Sequence, residues 1–599
     1  MLFGKYVNKF YLRYWYDFLI GILMLVIVDV AQLEIPTLIG NLVDILNLQK
    51  GQDVYNAFWN GSVTDPNSFM YFIVAMIVIG VLIFIGRMGW RFAINGLGTN
   101  IDFDLRDQMF SYAEKLSVSY YKTQKTGTMM AYFNNDLEQV KSAFTDGLIF
   151  IIDGLVMGGI ALYKLFRISW VMSLVCVLPL SIIALTGGII GKVIEKKYNA
   201  QLTSYDNLSD FTQENFSGIS VIKAFVRERH QASDFKKKSL DYKEKNLGYL
   251  RFMVALDAAD TFLINSIFVA AVFIGGYLIC YESGSLTPGQ FTTFLGLLDS
   301  LIWPMFAIAQ LVSLISRSYA SLKVVTKFMD SPIDLKDVDK PLDGEGKITG
   351  DILFKDLDFS YPDSPSALVL KKIDVHIRKG ENIGIVGRTG SGKSTLVKIL
   401  LKIYNIDDNH LFFDGVDINN IPAKTIRSNI GYVAQNAFLF SDLIKNNIAF
   451  SNEDVSQKTV QEAAEFACVS KSINEFKNGY DTLIGEKGTT LSGGQKQRIA
   501  MARAIVNNPP ILILDDSVSA VDSDTEKQIL SNIKDLRKGK TTFIVSSRIS
   551  SVESLDKIIV MDQGSIVGYG NHSQLIENCP YYAETVRLQE LEKEEKSHE

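Results

Sequence analysis

The sequence predicts two domains of different class, an α-helical membrane domain in the first half and an α/β domain in the second. Residues 1–320 contain long uncharged apolar runs, whereas residues 340–599 have the mixed composition of a soluble domain. The chain of 599 residues is also too long for a single hydrophobic core. A segment rich in Asp, Pro and Gly, residues 331–350, separates the halves. The expected boundaries are 1–325 for the membrane domain, 326–350 for the linker, 351–585 for the α/β domain and 586–599 for a charged, frayed tail.

Six apolar stretches in the first half are long enough to cross a bilayer, which needs about 20 residues. They cover residues 18–40, 69–86, 147–163, 168–191, 261–281 and 291–316. The segment between the second and third stretches carries seven Lys and Arg residues, and the segment between the fourth and fifth carries twelve. Because basic loops stay on the cytoplasmic side, we expect a multi-pass protein of the cell (plasma) membrane with both termini in the cytoplasm. Each of the two basic segments has the pattern of a helix, a short connector and a second helix.

Composition excludes several other classes of protein. A net charge of −6 without a basic stripe argues against nucleic acid as a partner. The four cysteines, at 176, 280, 468 and 579, are far apart and show no metal-ligand or disulfide spacing, so we interpret them as reduced packing residues. The basic, aromatic N-terminus is not followed by a small-residue cleavage site, which favours an interfacial helix over a cleaved signal peptide.

A glycine-rich turn between a predicted strand and a predicted helix indicates a phosphate-binding loop. The stretch IGIVGRTGSGKSTL matches G-x-x-x-x-G-K-[ST]. Such a turn directs backbone N–H groups towards phosphates, and the following helix adds a partial positive charge. Lys393 is expected to reach the β- and γ-phosphates, and the Ser394 hydroxyl to bind Mg²⁺. The residues expected to contact nucleotide here are Gly387, Thr389, Gly390, Ser391, Gly392, Lys393, Ser394 and Thr395.

A second predicted strand, ILILDDS (511–517), runs directly into two carboxylates, Asp515 and Asp516. Charge at the carboxyl end of a parallel strand indicates that a metal ion or a reacting group lies there. Just before this strand, the stretch LSGGQKQRIAMARAI (491–505) resembles the signature of ATP-binding-cassette (ABC) proteins. Ser492, Gly493 and Gly494 open a helix and so offer N–H donors to a γ-phosphate.

With six spans ahead of these motifs, the chain resembles a half-transporter of the ABC exporter family over nearly its whole length. In that family two nucleotide domains enclose two ATP molecules, each held by the phosphate loop of one domain and the signature of the other. The resemblance implies ATP and Mg²⁺ as cofactors and a second half-transporter as a partner. It also implies a cassette of the P-loop NTPase class of ABC type, with Gln495 in the nucleotide-contacting signature.

Further positions follow from the resemblance. Tyr361 is similar to the aromatic residue that stacks on adenine, Gln435 to the glutamine that touches Mg²⁺, and Asp515 to the carboxylate that supports Mg²⁺. The segment GEKGTTLSGGQ (485–495) resembles the part of the cassette that lies against the membrane-domain extensions. Two stretches of the basic segments, residues 120–136 and 214–228, resemble the loops whose short coupling helices dock on the cassettes.

Two positions depart from the family pattern in the same direction. The residue after the Mg²⁺-supporting carboxylate is normally Glu, which polarises the attacking water, but here it is Asp516. Aspartate is one methylene shorter, and a misplacement of about 1 Å can cost roughly a hundredfold in rate. The position normally held by a histidine near the γ-phosphate is Ser547, in TTFIVSSRISS. We therefore expect a site that holds ATP but rarely cleaves it, as in the degenerate-site subunit of heterodimeric bacterial multidrug exporters.

The intact signature next to an impaired site predicts a heterodimer, because signature and phosphate loop of one chain serve different ATP molecules. The expected function is ATP-driven export of amphipathic drugs or lipid-like compounds, with a partner that supplies Glu and His. A homodimeric lipid or peptide exporter, and a channel-type or regulatory ABC protein gated by ATP, remain alternatives. The predicted spans contain the acidic residues Asp29, Glu34, Asp153 and Asp299. We expect these side chains to face a cavity, where they attract a cationic substrate, or to pair with polar groups.

Overall fold

A computed structural model of the chain describes residues 3–47, 53–56, 59–62, 66–124, 126–281, 286–338, 347–485, 491–517 and 521–598. The helices of its first half are α1 (Asn8–Arg13), α2 (Trp15–Asn47), α3 (Pro66–Ala113), α4 (Val118–Thr123), α5 (Thr126–Ala131), α6 (Leu137–Phe144), α7 (Asp146–Ile152), α8 (Gly158–Ile168), α9 (Trp170–Ser217), α10 (Ile219–Ala224), α11 (Glu228–Tyr281) and α12 (Pro288–Met329). A short antiparallel hairpin, β1 (Asp53–Asn56) and β2 (Trp59–Ser62), precedes α3.

The second half contains the remaining strands and helices. The strands are β3 (Ile352–Ser360), β4 (Leu368–Ile377), β5 (Asn382–Val386), β6 (Leu411–Phe413), β7 (Val416–Asp417), β8 (Ile430–Val433), β9 (Ile511–Asp515), β10 (Thr541–Val545), β11 (Lys557–Asp562) and β12 (Ser565–Gly570). The helices are α13 (Lys393–Leu400), α14 (Ala423–Ser428), α15 (Ile444–Ile448), α16 (Gln457–Phe466), α17 (Ser470–Asn474), α18 (Gly493–Ile505), α19 (Ser523–Leu536), α20 (His572–Asn578) and α21 (Pro580–His598).

The chain divides into two compact units. The first unit comprises Met1–Glu114 and Lys125–Ser331, and the second comprises Lys115–Gln124 and Pro332–Glu599. Helix α4, which lies in the chain between two membrane stretches, thus belongs by its contacts to the second unit.

The first unit is helical, and five of its described helical stretches are long and apolar enough to cross a membrane. They are Trp15–Asn47, Phe72–Ala113, Thr126–Ile168, Glu228–Tyr281 and Pro288–Met329. The fourth stretch expected from the sequence, 168–191, lies in α9, whose described apolar segment Trp170–Pro179 begins this helix of 48 residues. The stretch Thr126–Ile168 carries two π-helical turns, Tyr132–Asp136 and Asp153–Met157.

Helices α9 and α11 are far longer than a bilayer requires. They have 48 and 54 residues, so α11 extends over about 80 Å against a hydrocarbon core of about 30 Å. The two helices pack along each other, and the short helix α10 connects them. The predicted order of helix, short connector and helix is therefore correct for this segment.

The second unit is built on a six-stranded sheet in the order β12-β11-β5-β10-β9-β8, with every pair parallel except β11 with β12. Alternate residues of β9 pack into two different hydrophobic clusters: Leu512 and Leu514 into one, Ile511 and Ile513 into the other. The sheet is thus buried on both faces, which explains the continuous apolar sequence of this strand. A four-stranded antiparallel sheet, β4-β3-β6-β7, completes the unit.

The predicted fold class, a helical membrane domain followed by an α/β nucleotide-binding domain, is confirmed. Two local features differ from expectation. The β1–β2 hairpin was not predicted, because its short strands lack an apolar alternating pattern. The tail, expected to be frayed from residue 586, is helical to His598 as part of α21. Of the segment 485–495, residues 486–490 lie outside the described residues.

Candidate nucleotide-binding site

Four neighbouring parallel strands end at the candidate site. In the sheet order β5-β10-β9-β8, each strand is followed by predicted site residues. The phosphate loop follows β5, Ser547 follows β10, Asp515 and Asp516 end β9, and Gln435 follows β8. The carboxyl ends of parallel strands share one sheet edge, where α/β proteins of this kind bind their ligands. The topology therefore brings together motifs that are up to 160 positions apart in the chain.

The phosphate loop has backbone geometry that only glycine tolerates. Gly387 has φ +155°, and a Cβ atom there would lie 2.2 Å from the Met561 carbonyl oxygen. Gly392 has φ +100° and caps the start of the helix α13. A Cβ atom at this position would lie 2.8 Å from a methyl group of Leu370. These two glycines let the loop curl tightly before the helix N-terminus, as phosphate binding requires.

The side chains of Lys393 and Ser391 indicate that the loop binds an anionic ligand. Lys393 Nζ donates to the carbonyl oxygens of Gly387 at 2.7 Å and Arg388 at 3.0 Å, so the ammonium group lies inside the curl. Burial lowers the pKa of Lys393 below its usual 10.5, although Asp516 and Asp515 act in the opposite direction. The Ser391 hydroxyl is buried in the same loop and has no hydrogen-bond partner among the described residues. A triphosphate chain fits this cradle, since it supplies acceptors for both groups.

Of the three residues expected to contact Mg²⁺, Ser394 and Asp515 lie within hydrogen-bonding distance of each other, whereas Gln435 contacts Asp516. Ser394 Oγ donates to Asp515 Oδ1 at 3.1 Å. Burial raises the pKa of the Asp515 carboxyl, while the hydrogen bond from Ser394 lowers it. Among the described residues no group of three or more His, Cys, Asp and Glu side chains could hold a metal ion alone. Hydroxyl and carboxylate oxygens suit Mg²⁺, which binds through few protein ligands plus phosphate oxygens, and the pair fits that chemistry.

Tyr432 supports this pair and was not recognised from the sequence. Its pKa is raised to about 12, mainly by burial and further by the charge of Asp515 and a hydrogen bond to that carboxylate. The phenol therefore stays protonated and donates to Asp515. Its place in β8, three residues before Gln435, is the one signal that could have indicated it.

Asp516 is in direct contact with Gln435. The Gln435 amide nitrogen donates to Asp516 Oδ2 at 3.2 Å. The backbone carbonyl of Gln435 accepts from Gln497 Nε2 at 2.5 Å, so the buried Gln497 of α18 fixes the same glutamine from its other side. Asp516 also has φ +47°, a left-handed conformation in which Asp is more common than Glu.

Ser547 lies in the segment after β10 with an exposed side chain. Its backbone carbonyl accepts from Gln589 Nε2 of α21 at 2.8 Å. On the same segment, the buried Ser546 hydroxyl accepts from the Arg548 N–H at 2.9 Å. The segment is thus held by its backbone, while the side chain that replaces the expected histidine is accessible.

Tyr361, which follows β3, lies in a cluster of aromatic rings with one cation. Its hydroxyl is 2.8 Å from Thr395 Oγ1 of α13, and its ring meets Tyr404 edge-on at 5.2 Å between centroids. Lys122 Nζ of α4 lies 5.0 Å from the Tyr361 centroid and donates to the Tyr404 hydroxyl at 2.8 Å. That hydrogen bond raises the pKa of Lys122, which therefore remains charged. The lysine was not recognised as a site residue.

The predicted signature residues begin α18. The Ser492 hydroxyl accepts from the Gln495 N–H at 3.3 Å, and the Gln495 side chain accepts from the Ser492 N–H at 2.9 Å, which forms a capping box. Gln495 therefore stabilises the start of its own helix. Gly493 has no atom within 4 Å of the place where a Cβ would stand, so this helix start is open to a ligand from outside the unit.

The four carboxylates of the predicted spans have different surroundings. Glu34 forms an ion pair with Lys164 at 2.8 Å, and Asp299 is exposed. Asp29 and Asp153 are only 3% and 6% exposed, and each has one oxygen without a hydrogen-bond partner among the described residues. The other oxygen of Asp153 accepts from Trp303 Nε1 at 2.6 Å. The predicted pairing with polar groups thus applies to Glu34, and only in part to Asp153.

Comparisons with known proteins agree with both units. Family models for the ABC transporter transmembrane region and for the ABC transporter domain match residues 18–305 and 370–519. The chain is 34% identical over 588 residues to YheI of Bacillus subtilis (strain 168), a probable multidrug resistance ABC transporter ATP-binding/permease protein, and the match covers 98% of this chain and 97% of YheI.

Other relatives have related descriptions. The multidrug resistance-like ATP-binding protein MdlA of Escherichia coli (strain K12) is 32% identical over 98% of this chain and 96% of its own length. The ATP-dependent lipid A-core flippase of Vibrio parahaemolyticus serotype O3:K6 is 31% identical over 86% of this chain and 88% of its own. A bacterial Atm1-family ABC exporter with ATP bound superposes with a TM-score of 0.79 over 97% of this chain and 99% of that one; at 23% identity this likeness concerns the fold alone. Together with the motifs gathered at one sheet edge, these matches show that the chain belongs to the ABC transporter family and has its exporter fold.

Proposed function

We propose that this chain is the degenerate-site subunit of a heterodimeric ABC exporter. Its own phosphate loop binds Mg²⁺ and ATP but cleaves ATP slowly, and its signature completes the hydrolytic site of a partner half-transporter. The observation that carries the proposal is the pair of Asp516 and Ser547 at the two positions where the family places Glu and His.

The contacts of Asp516 support slow cleavage. A general base must reach the water that it activates. The shorter aspartate already accepts a hydrogen bond from Gln435 at 3.2 Å, which holds its carboxylate towards the end of β8. A bound Mg²⁺ would neutralise phosphate charge through Ser394 and Asp515. Those residues keep their family identities, so binding is retained while activation of water is impaired.

Ser547, which follows the neighbouring strand β10, also supports slow cleavage. Serine offers one hydroxyl donor and cannot carry the positive charge of an imidazolium. The Gln589 hydrogen bond fixes its backbone rather than its hydroxyl. Stabilisation of charge at the γ-phosphate is therefore weaker than with histidine.

Two exposed features of the described residues support a second subunit: the apolar tip around α10 and the open start of α18. The tip around α10 exposes large apolar side chains: Phe216, Ile219, Val221, Phe225 and Val226. Exposed clusters of this kind mark protein interaction sites. In the family such loops dock on a cassette, and the open Ser492–Gly493 helix start faces a partner's ATP. The tip of this chain accordingly docks on the cassette of the partner.

We also propose that the cargo is an amphipathic cation, including lipid-like amines, taken up near Asp29 and Asp153. These carboxylates are buried, and each keeps one oxygen without a partner among the described residues. The π-helical turn that begins at Asp153 lies against α2 and α12, and such turns are frequent at functional sites. The Trp303 N–H donates to Asp153, so an aromatic ring, a group that attracts cations, lies next to this carboxylate. In this proposal both termini face the cytoplasm, and transport is outward because the chain has the fold of an ABC exporter.

The cargo proposal is tested by efflux of a cationic dye. Asp29→Asn and Asp153→Asn should each slow efflux several-fold, whereas Asp299→Asn, at an exposed position, serves as the matched control. Equal loss of efflux of an uncharged dye would show that the two carboxylates maintain the structure and do not recognise cations.

The degenerate-site proposal is tested by restoring the family residues. The double variant Asp516→Glu/Ser547→His should hydrolyse ATP at this chain's site at least about tenfold faster in single-turnover assays, since a misplacement of about 1 Å costs up to roughly a hundredfold. The matched control is Asp515→Asn in the same background, which should abolish the gain. A wild-type rate equal to that of the double variant would refute the proposal.

A further inference from the structure

The last helix of the chain holds the segment that carries Ser547. One side chain, Gln589 of α21, donates to the Ser547 carbonyl at 2.8 Å and accepts from the Ile549 N–H at 2.8 Å. The amide therefore bridges two backbone groups on either side of Arg548. A primary amide has both a donor and an acceptor end, so glutamine can make this two-point contact.

The same helix also reaches the phosphate loop. The Tyr581 hydroxyl accepts from the Arg388 N–H at 3.3 Å, and the Arg388 guanidinium lies 5.6 Å from the centroid of the Tyr581 ring. The first turn of α21 is anchored by Tyr582, which is fully buried and whose hydroxyl is 2.8 Å from His572 Nδ1. The helix α21 thus contacts two loops, one after β5 and one after β10, and these two strands are neighbours in the sheet.

The inner side of the Ser547 segment is fixed independently. The Ser551 hydroxyl donates to Glu526 of α19, and Arg548 forms an ion pair with the same carboxylate at 3.7 Å. Between these fixed points the Ser547 side chain is exposed. A serine hydroxyl has a short reach, so its distance from a γ-phosphate depends on where the backbone is held.

The contact of α21 with the two loops is made by few polar groups beside an open space. A cavity of about 1400 Å³ is lined by Gly387, Arg388, Ser547, Arg548, Tyr581 and Gln589, among others. Tyr582 fixes the start of α21 in the hydrophobic core, whereas Gln589, about two turns further along, meets the Ser547 segment through two hydrogen bonds beside this cavity. The Gln589 contact is therefore separable from the stability of the domain.

We propose that Gln589 is a positioning residue that keeps ATP on the impaired site: it clamps the backbone of Ser547 so that the serine hydroxyl meets the γ-phosphate. This inference rests on the proposed function, since a site that rarely cleaves ATP regulates the transporter by how long it retains nucleotide. Loss of the two Gln589 hydrogen bonds releases the clamp and shortens that time.

The test measures dissociation of a fluorescent, non-hydrolysable ATP analogue from the full-length chain in lipid nanodiscs. Gln589→Met keeps the volume and removes both hydrogen bonds, so dissociation should be about tenfold faster. Gln589→Glu keeps the acceptor for Ile549 but sets an oxygen against the Ser547 carbonyl, so an intermediate rate is expected. The exposed neighbour Glu590→Ala is the matched control and should leave the rate unchanged.

Thermal unfolding of each variant separates positioning from stability. An unchanged dissociation rate in a Gln589→Met protein of wild-type melting temperature would overturn the inference, as would a faster rate in Glu590→Ala as well. Because the analogue is not cleaved, the result does not depend on how fast the site hydrolyses ATP. Failure of the clamp is thus distinguishable from failure of the degenerate-site proposal, which single-turnover hydrolysis reports.

Discussion

The amide of Gln435 donates to the carboxylate of Asp516 across 3.2 Å, and this links the end of β8 to the end of β9 at the nucleotide site. Gln497 of α18 donates to the backbone carbonyl of the same Gln435 at 2.5 Å. The helix that begins with the signature is therefore connected through one glutamine to the position of the catalytic base. A change at either end of this chain of contacts reaches the other through two hydrogen bonds.

Replacing Gln497 by Leu tests that connection. The variant removes the donor that fixes Gln435, and a single hydrogen bond contributes about 1 kcal/mol, so the affinity for Mg²⁺ and ATP together should fall about fivefold. Binding of ATP without Mg²⁺ should stay unchanged, since the phosphate loop is untouched. Isothermal titration with and without Mg²⁺ measures both values. An equal loss in both conditions would indicate a general packing defect instead.

Replacement by alanine should affect ATP binding and stability differently at two glycines of the phosphate loop. Gly387→Ala places a methyl group 2.2 Å from the Met561 carbonyl oxygen at φ +155°, so backbone must move and ATP binding should be lost. Gly390→Ala is the matched control, because its surroundings are open and only its φ of +85° is unfavourable, by about 1–2 kcal/mol. Gly387→Ala should have a much lower affinity for ATP by titration, and a lower melting temperature by thermal unfolding, than Gly390→Ala. Similar results for both would mean that the loop adapts to the added methyl group.

Lys122 is expected to orient the ring of Tyr361, which we predict to stack on adenine. Its ammonium lies 5.0 Å from the Tyr361 centroid, and such cation–π contacts contribute about 0.5–1 kcal/mol at exposed sites. Lys122→Met should therefore weaken ATP binding about two- to fivefold, while Lys122→Arg retains most of the affinity. The exposed Lys115→Met in the same segment is the control. Tighter ATP binding in Lys122→Met would show that the ammonium competes with adenine for the ring.

The affinity for ATP should decrease at alkaline pH because of Lys393. Burial lowers the pKa of this lysine below 10.5 in the free site, whereas bound phosphates favour its charged form. Between the free and bound pKa values, binding takes up a proton, so affinity falls as pH rises through that window. Lys393→Arg, which keeps its charge, should remove this dependence. A flat pH profile of ATP binding by the wild-type chain would contradict the assignment.

Contiguous motifs made much of the site predictable. The phosphate loop follows directly on β5, and Asp515 and Asp516 lie at the end of β9. The residues of each motif are neighbours in the chain, so they are also neighbours in the folded protein. Gln589, Lys122 and Gln497 could not be recognised in this way. Gln589 acts on Ser547 from 42 positions away, and Lys122 meets Tyr404 from 282 positions away. Their polar or charged side chains look like ordinary surface residues until the fold brings them to the loop.

The membrane half was predictable only to the level of spans. Hydropathy locates apolar stretches, but it does not show that Lys164 pairs with Glu34, or that Asp29 and Asp153 each keep one oxygen without a partner in the described part of the chain. Those differences depend on helix rotation and depth, which are set by packing between helices. The sequence therefore gave four equal candidates, and the structure separates them by burial and partner.

In the proposed exporter, this chain pairs with a half-transporter of another sequence. The most direct measurement is native mass spectrometry of the tagged chain, gently purified from its own membranes. We predict a one-to-one complex with a second half-transporter that carries Glu after its Mg²⁺-supporting Asp and a histidine at the position of Ser547. A complex of two copies of this chain that hydrolyses ATP rapidly would contradict the claim and would make Asp516 a working base.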